Sequence, residues 1–381
     1  MNNARFSRRQ FARRVGIGLG AAVVAPRLLE SVAEARKPPG LAGDVIQLNA
    51  NENPYGPSEK ARAAMTKSQD VASRYPDEME SNVVDALAKL HSVRPENVVL
   101  GCGSGEILRM ADMAFLTAGK RVVVAEPTFE AVLSYARVTR AEAVKVAQTT
   151  DFRHDLPAMA KACDERTGLV YVCNPNNPTG TIVTREELAT FIQRVPRTAV
   201  VLVDEAYHHF VEDTRYGSAI EWFGKAPNVI VVRTFSKVYG MAGMRLGYAV
   251  GDPERIGAMR EHVTWNNGNA AVLEAVQASL ADESHVPKHR KLNNDTRRWL
   301  CAELERDGRK YIPSHTNFVM IDVGGDVQPV IAKFREKKIL VGRKFPSMGN
   351  WLRISIGTPK ETQAFLAGLR EFVPVRKAQA A

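Results

Sequence analysis

Cysteine, aromatic side chains and long apolar runs are all scarce in this chain of 381 residues. Its four cysteines, Cys102, Cys163, Cys173 and Cys301, form no CxxC pair, which excludes a disulfide-dense scaffold and a zinc ribbon. Aromatics make up 7% of the chain, and no Lys/Arg-rich run carries interleaved aromatics, so a nucleic-acid surface is not expected. The longest charge-free stretch near the amino terminus, Val15 to Pro26, is too short and too rich in glycine to span a bilayer, so no stable membrane anchor is expected. Repeats and low-complexity linkers are missing too, which excludes an array of modules. His285 and His289 form a local histidine pair, but Pro287 separates them and no acid completes a ligand set, so no metal site is expected.

What is there is an ordinary globular composition, 45% hydrophobic and 25% charged, with a formal net charge of +10. That excess is unevenly placed. Residues 1–35 hold six arginines and two glutamates, while the remaining 46 basic and 40 acidic residues are interspersed. Ser7-Arg8-Arg9-Gln10-Phe11-Ala12-Arg13, the apolar stretch from Val15, and Ala33-Glu34-Ala35 have the layout of a twin-arginine export signal with a small-x-small cleavage site. The expectation is an exported, periplasmic protein, with a cytoplasmic location as the alternative.

From about residue 60 to 270, helical stretches alternate with short β-branched runs: Arg121 to Glu126, Leu169 to Cys173, Ala199 to Asp204, Val229 to Arg233 and Leu246 to Val250. They are apolar almost throughout, as strands covered on both faces are. The fold class expected is α/β, a mostly parallel sheet with helices on both faces, plus a smaller α+β domain. In the latter, a long helical pattern from Ala271 to Arg309 precedes runs at Phe318 to Val323, Ile339 to Val341 and Trp351 to Ile356. The expected boundaries are a signal at 1–35, an N-terminal arm at 36–60, a large domain at 61–270 and a small domain at 271–381.

Four polar clusters follow strands, where functional groups of such sheets gather. Gly101-Cys102-Gly103-Ser104-Gly105 precedes a helical stripe and suits an anion at a helix amino terminus. Its spacing lacks the third glycine of the dinucleotide fingerprint, which disfavours a nicotinamide enzyme. Asn174-Pro175-Asn176-Asn177-Pro178-Thr179-Gly180 forms a turn-rich loop able to aim an amide. Asp204-Glu205-Ala206-Tyr207 puts an acid at a buried strand end, costly unless a cation pairs with it. Thr234-Phe235-Ser236-Lys237 is followed by Arg245. An anion cradle, a buried acid, an Asn/Tyr pair, a lysine and an arginine together suit pyridoxal 5'-phosphate: a lysine for its aldehyde, an acid for its ring nitrogen, cations and amides for its phosphate.

On these residues the chain resembles the fold-type I, class I/II aminotransferases, and within them the histidinol-phosphate aminotransferase branch. The likeness runs from about Leu48 to Phe372. It includes the segments from Leu48 to Pro57, Arg74-Tyr75-Pro76-Asp77, Glu126-Pro127-Thr128-Phe129 and Trp351 to Gly357. It implies that Lys237 condenses with the cofactor aldehyde and then moves a proton. Asp204 would pair with the pyridine nitrogen, Asn177 and Tyr207 would bond the ring oxygen, and Phe129 would stack on the ring. Gly103, Ser104, Gly105, Thr234, Ser236 and Arg245 would surround the phosphate. Arg353 would clamp the substrate carboxylate, with Asn53, Tyr55 and Arg343 also facing substrate, and Tyr75 would reach the cofactor of a second subunit in a homodimer. The partners implied are an amino acid and a 2-oxo acid.

Gly105 stands where relatives often carry an acid, and Phe129 where some carry tyrosine. Substrate choice is expected in residues 264–269 and 341–346. A same-fold phospho-amino-acid decarboxylase or other lyase stays open as the alternative activity, because those enzymes share nearly all these motifs. A binding module that has lost catalysis is disfavoured by the presence of Lys237, Asp204 and Arg353. If the signal is cleaved, protein recovered from the periplasm begins near Arg36, as amino-terminal sequencing will check; an intact Met1 there overturns the export signal.

Overall fold

A computed structural model describes residues 44–374, so the expected signal at 1–35 and the first part of the arm lie outside the described residues. The strands are β1 (Ile46–Leu48), β2 (Val98–Gly101), β3 (Arg121–Glu126), β4 (Glu142–Ala147), β5 (Thr167–Cys173), β6 (Val200–Asp204), β7 (Val229–Thr234), β8 (Gly247–Gly251), β9 (Tyr311–Ile312), β10 (Phe318–Asp322), β11 (Ile339–Val341) and β12 (Trp351–Ser355). The helices are α1 (Glu59–Lys67), α2 (Asp77–His91), α3 (Ser104–Phe115), α4 (Ala131–Thr139), α5 (Leu156–Lys161), α6 (Arg185–Arg194), α7 (Pro253–Arg260), α8 (Ala270–Leu280), α9 (His285–Arg306), α10 (Val327–Glu336) and α11 (Pro359–Phe372).

Seven strands form one sheet in the order β2-β8-β7-β6-β5-β3-β4. Every residue of β5, β6 and β7 is buried, and alternation along each strand feeds two cores. Val122, Val124, Leu169, Leu202 and Val232 pack against Ile107, Leu108 and Ala111 of α3, Val132 of α4 and Ile256 of α7. The intervening Val123, Val170, Val172, Val201, Val203 and Val231 pack against Met159 of α5 and Leu188, Phe191 and Ile192 of α6. Apolar side chains on both faces are why these runs carry no polar alternation.

Three details differ from the sequence expectation. β8 runs antiparallel to both β7 and β2. The connection from β7, residues 235–246, holds only a short helical turn at Ala242–Met244, too little for the crossover that a parallel neighbour requires, so the chain folds back. The helical pattern from Ala271 to Arg309 is two helices, α8 and α9. Pro287 accounts for the break: a continuous helix would place its ring against the carbonyl of Glu283, whereas in the first turn of α9 its missing N–H costs nothing. The sequence runs also omit β4, an edge strand whose half-exposed, charged pattern fits an edge rather than a covered centre.

A smaller sheet, β12-β10-β9, is antiparallel, and β1 pairs in parallel with β11. Its core joins Val319, Ile321, Leu352 and Ile354 with Leu300 and Leu304 of α9, Phe334 of α10, Phe365 and Leu369 of α11, and Leu48 of β1. Among the described residues no helix is long and apolar enough to cross a membrane.

Between sheet and surface sits a buried ion pair. Glu205 Oε2 accepts from Arg233 Nε at 3.0 Å and Nη2 at 2.8 Å, and the carboxylate also accepts from Ser218 Oγ and the Ala219 amide. Both side chains are almost inaccessible, 1% for Glu205 and 9% for Arg233. Removing one partner leaves the other charge buried and alone. Glu205→Gln and Arg233→Met are each expected to lower the unfolding free energy by about 3–5 kcal/mol in denaturant titrations, whereas a loss near the ~1 kcal/mol of a surface pair contradicts this reading.

Candidate active site

Four of the parallel strand ends and the start of α3 open on one cavity of about 520 Å³. Twelve of the residues singled out from the sequence line it: Ser104, Gly105, Phe129, Asn177, Asp204, Tyr207, Thr234, Ser236, Lys237, Arg245, Arg343 and Arg353. Gly103 lies just behind, while Tyr75, Asn53 and Tyr55 are elsewhere.

The anion cradle is built at the amino terminus of α3, whose first amides have no partner within the helix. Gly103 holds φ +76°, and a Cβ there would fall 2.1 Å from Arg245 Nη2, so only glycine lets the guanidinium lie against the helix start. Gly247 of β8 makes the matching backbone approach, since a Cβ on it would fall 2.4 Å from the Ser104 nitrogen. Arg245 Nη1 donates to Ser236 Oγ at 3.3 Å, and Thr234 Oγ1 donates to the same hydroxyl at 3.0 Å. Hydroxyls, free amides and a guanidinium bound to no acid among the described residues make a site for a phosphate-sized anion.

Asp204 is 2% exposed at the end of β6. Its carboxylate accepts from Tyr171 Oη at 2.9 Å and from the Ala206 amide at 3.0 Å, and among the described residues it has no ion-pair partner. Burial pushes its pKa up to about 6, against the smaller opposing pull of those donors and of Lys237. The expectation that a buried acid needs a cation is therefore met neither by protein nitrogen nor by full neutralisation. Glu205, next in sequence, points the other way and takes Arg233. One carboxylate is paired in the fold and its neighbour is left facing the cavity.

Lys237 Nζ donates weakly to the Ala50 carbonyl at 3.4 Å and lies 5.6 Å from the centre of the Tyr207 ring. Burial, then Arg353 and Arg245, lower its pKa to about 8, with Glu52 and Asp204 pulling the other way. Such an amine is partly neutral near physiological pH and able to attack a carbonyl or carry a proton. Tyr207 Oη accepts from Asn51 Nδ2 at 3.0 Å.

In the Asn-Pro-Asn-Asn-Pro loop, Asn174 exchanges bonds with Val183, and Asn176 bonds Thr128, Thr179 and Pro127. Two asparagines staple the loop and the third, Asn177, lines the cavity, its Oδ1 accepting from Arg353 Nη1 at 2.8 Å. Arg353, from the middle of β12, also donates to the Asn49 carbonyl at 2.9 Å. Its Nε is buried without a partner, and no carboxylate pairs with it among the described residues. A buried, acid-free guanidinium is a receptor for a carboxylate.

The structure places Asn53 outside the cavity. Its Nδ2 donates to the Val238 carbonyl at 2.8 Å, holding the loop after Lys237, and faces His289 Nδ1 at 2.8 Å, while Tyr55 meets the His289 ring of α9 edge-on; neither lines the cavity. Tyr75 is 77% exposed and lines a separate groove with Arg74, Asn266 and Gly268. Sequence reasoning gave no role to Tyr171, Asn51, Thr128, Cys173 or Glu130. Tyr171 lies within a recognised strand run, and the β5/β6 register, which sets Cys173 beside Asp204, was the signal that could have found it.

An unpaired buried acid, an anion cradle and a depressed lysine fit the ring nitrogen, phosphate and aldehyde of pyridoxal 5'-phosphate. The sequence pattern of the family "Aminotransferase class I and II" matches residues 43–369. The histidinol-phosphate aminotransferase of Moorella thermoacetica is 40% identical over 87% of this chain and 86% of its own. The crystal structure of histidinol-phosphate aminotransferase from Sinorhizobium meliloti in complex with pyridoxal-5'-phosphate superposes with a TM-score of 0.81 at 26% identity, covering 86% of this chain and 90% of that one. L-threonine-O-3-phosphate decarboxylase from Porphyromonas gingivalis, at 21% identity and a TM-score of 0.74 over 87% of this chain and 100% of that one, shares the fold.

The raised pKa of Asp204 has a stability consequence. In protein stripped of small molecules, the folded state holds a proton between the ordinary value of 3.8 and about 6 that the unfolded state has released. Stability therefore falls as pH rises through that window and the deficit persists above it. Asp204→Asn removes the deficit, so the stripped variant is expected to melt higher than the parent at pH 7, with the gap closing at pH 4. Melting curves with a gap independent of pH contradict the unpaired-carboxylate reading.

Proposed function

The chain belongs to the class I and II aminotransferases, and from that premise we propose that it moves an amino group between an L-amino acid, or an amino phosphate such as histidinol phosphate, and a 2-oxo acid. It is a pyridoxal-phosphate-dependent transaminase. The observation that carries the residue assignments is the convergence of Lys237, Arg245 and Arg353, none paired with an acid among the described residues, and of Asp204, an acid without a cation, on one cavity. When bound, the cofactor supplies an aldehyde and an electron-withdrawing ring.

The chain's residues supply the rest. Asp204 would hold the protonated ring nitrogen, a pairing that would offset the burial of its carboxylate. Ser104, Gly105, Thr234, Ser236 and Arg245 would hold the phosphate, and Tyr207, Asn177 and Phe129 would hold the ring. Arg353 fixes the substrate carboxylate so that the Cα–H points at Lys237, whose neutral amine takes and returns the proton. The exposed Tyr75 supports a homodimer in which a second copy covers its groove. Residues 1–35 support export through the twin-arginine route, which carries folded, cofactor-loaded proteins and would part the enzyme from cytoplasmic intermediates.

With the right amino donor alone, the visible band of the lysine-bound cofactor is expected to shift, and a 2-oxo acid is expected to restore it. Restoration separates a transaminase from a lyase. Lys237→Ala is expected to abolish the band in purified protein. Arg353→Gln loses a charge-assisted pair of about 1.5–3 kcal/mol and is expected to raise KM for the donor about 10- to 100-fold. A retained band in the lysine variant overturns the assigned anchor.

A further inference from the structure

The mouth of the cavity carries a second arginine whose charge is already engaged. Arg343 Nη2 is bonded to a Glu130 carboxylate oxygen, and Arg343 Nη1 donates to the Lys344 carbonyl at 3.2 Å. Arg343 and Arg353 both lie against Phe345, their guanidinium carbons 4.4 and 5.2 Å from the ring centre. Phe345 is 5% exposed, so both cations pack against one buried ring. Arg353 is buried and, among the described residues, free of acids; Arg343 is half-exposed and paired with an acid.

We propose that Glu130 determines specificity: by holding Arg343 it makes the site select an α-carboxylate over the phosphate ester of an amino alcohol. The inference rests on the aminotransferase reading and narrows its substrate class. A carboxylate carries one charge and is matched in shape and charge by the fork of Arg353 alone. A phosphate monoester carries nearly two charges and a third oxygen, and needs a second cation. Among the described residues that line the cavity, Arg343 is the one cation beside Arg353 not assigned to the cofactor, and to take it from Glu130 the ester must displace that carboxylate. That leaves a carboxylate unpaired and next to a dianion, a like-charge contact that works against the ester and leaves the carboxylate substrate untouched. Glu52, which also lines the cavity, adds a negative charge of the same sense.

Two readouts on the cofactor-loaded enzyme test this. Calorimetry gives the affinities of two unreactive probes, 3-phenylpropionate and 2-phenylethyl phosphate, and the band shift gives kcat/KM for L-histidine and L-histidinol phosphate. In the parent, carboxylate compounds are expected to be preferred in both assays. Glu130→Gln is expected to move both ratios toward the phosphate compounds by at least tenfold, and Arg343→Gln placed on top of it to abolish that gain. The two side chains are about half exposed, so the variants keep the fold. A ratio that moves less than threefold, or a gain that survives removal of Arg343, overturns the role of Glu130. A parent enzyme whose band responds to no amino donor overturns the aminotransferase reading instead, and the probe affinities still report on Glu130.

Discussion

A carboxylate buried without a counter-charge organises this molecule. Asp204 is held by a tyrosine hydroxyl and one amide and, among the described residues, by no ion-pair partner. Folding tolerates the deficit because it is confined to one residue: the strand's alternation sends Glu205 to the opposite side, where Arg233, Ser218 and Ala219 satisfy it completely. A sheet with helices on both faces can bury an acid in this way only at a strand's end, where one side opens on a cavity. The site's position thus follows from the same rule that keeps the strand interiors apolar.

The cations of the cavity are governed by the same logic with the opposite sign. Lys237, Arg245 and Arg353 sit together with too few acids to balance them, and each lowers the cost of an incoming anion. Their mutual repulsion is also functional, because burial and Arg353 bring the Lys237 amine down to about 8. An isolated surface lysine would be fully protonated and useless as a base. The arrangement therefore trades stability of the empty protein for affinity and reactivity once a phosphate and a carboxylate arrive.

Much of this was legible in the sequence, for identifiable reasons. Covered strands are apolar runs, and β3 and β11 match their expected bounds at both ends, because flanking glycines and charges mark where burial stops. The residues at strand ends were legible because polar groups following an apolar run have few structural excuses. Strand direction was not: β8 is as apolar as the parallel strands of the same sheet, and only the lack of a crossover helix in the preceding connection reveals its sense. Side chains that act through another residue were equally hidden. Tyr171 reads as core packing until the register sets its strand beside that of Asp204, and Asn53 reads as a ligand-facing amide until it is seen bonding the Val238 carbonyl.

The short stretch from Asn49 to Asn53 ties the two sheets' contributions into one site. The Asn49 carbonyl takes Arg353, the Ala50 carbonyl takes Lys237, and the Asn51 side chain donates to Tyr207 while its backbone bonds Ser355 and Asn317. Asn53 then anchors the peptide that follows Lys237. Asn51 adopts φ +54°, a left-handed turn that asparagine accepts more readily than most residues, which lets successive groups face different partners. Arg353 comes from β12 and Lys237 from the loop after β7, far apart in sequence. Their separation is set by this one extended segment, so its geometry, rather than either sheet alone, decides whether a carboxylate on Arg353 brings its Cα–H within reach of Lys237.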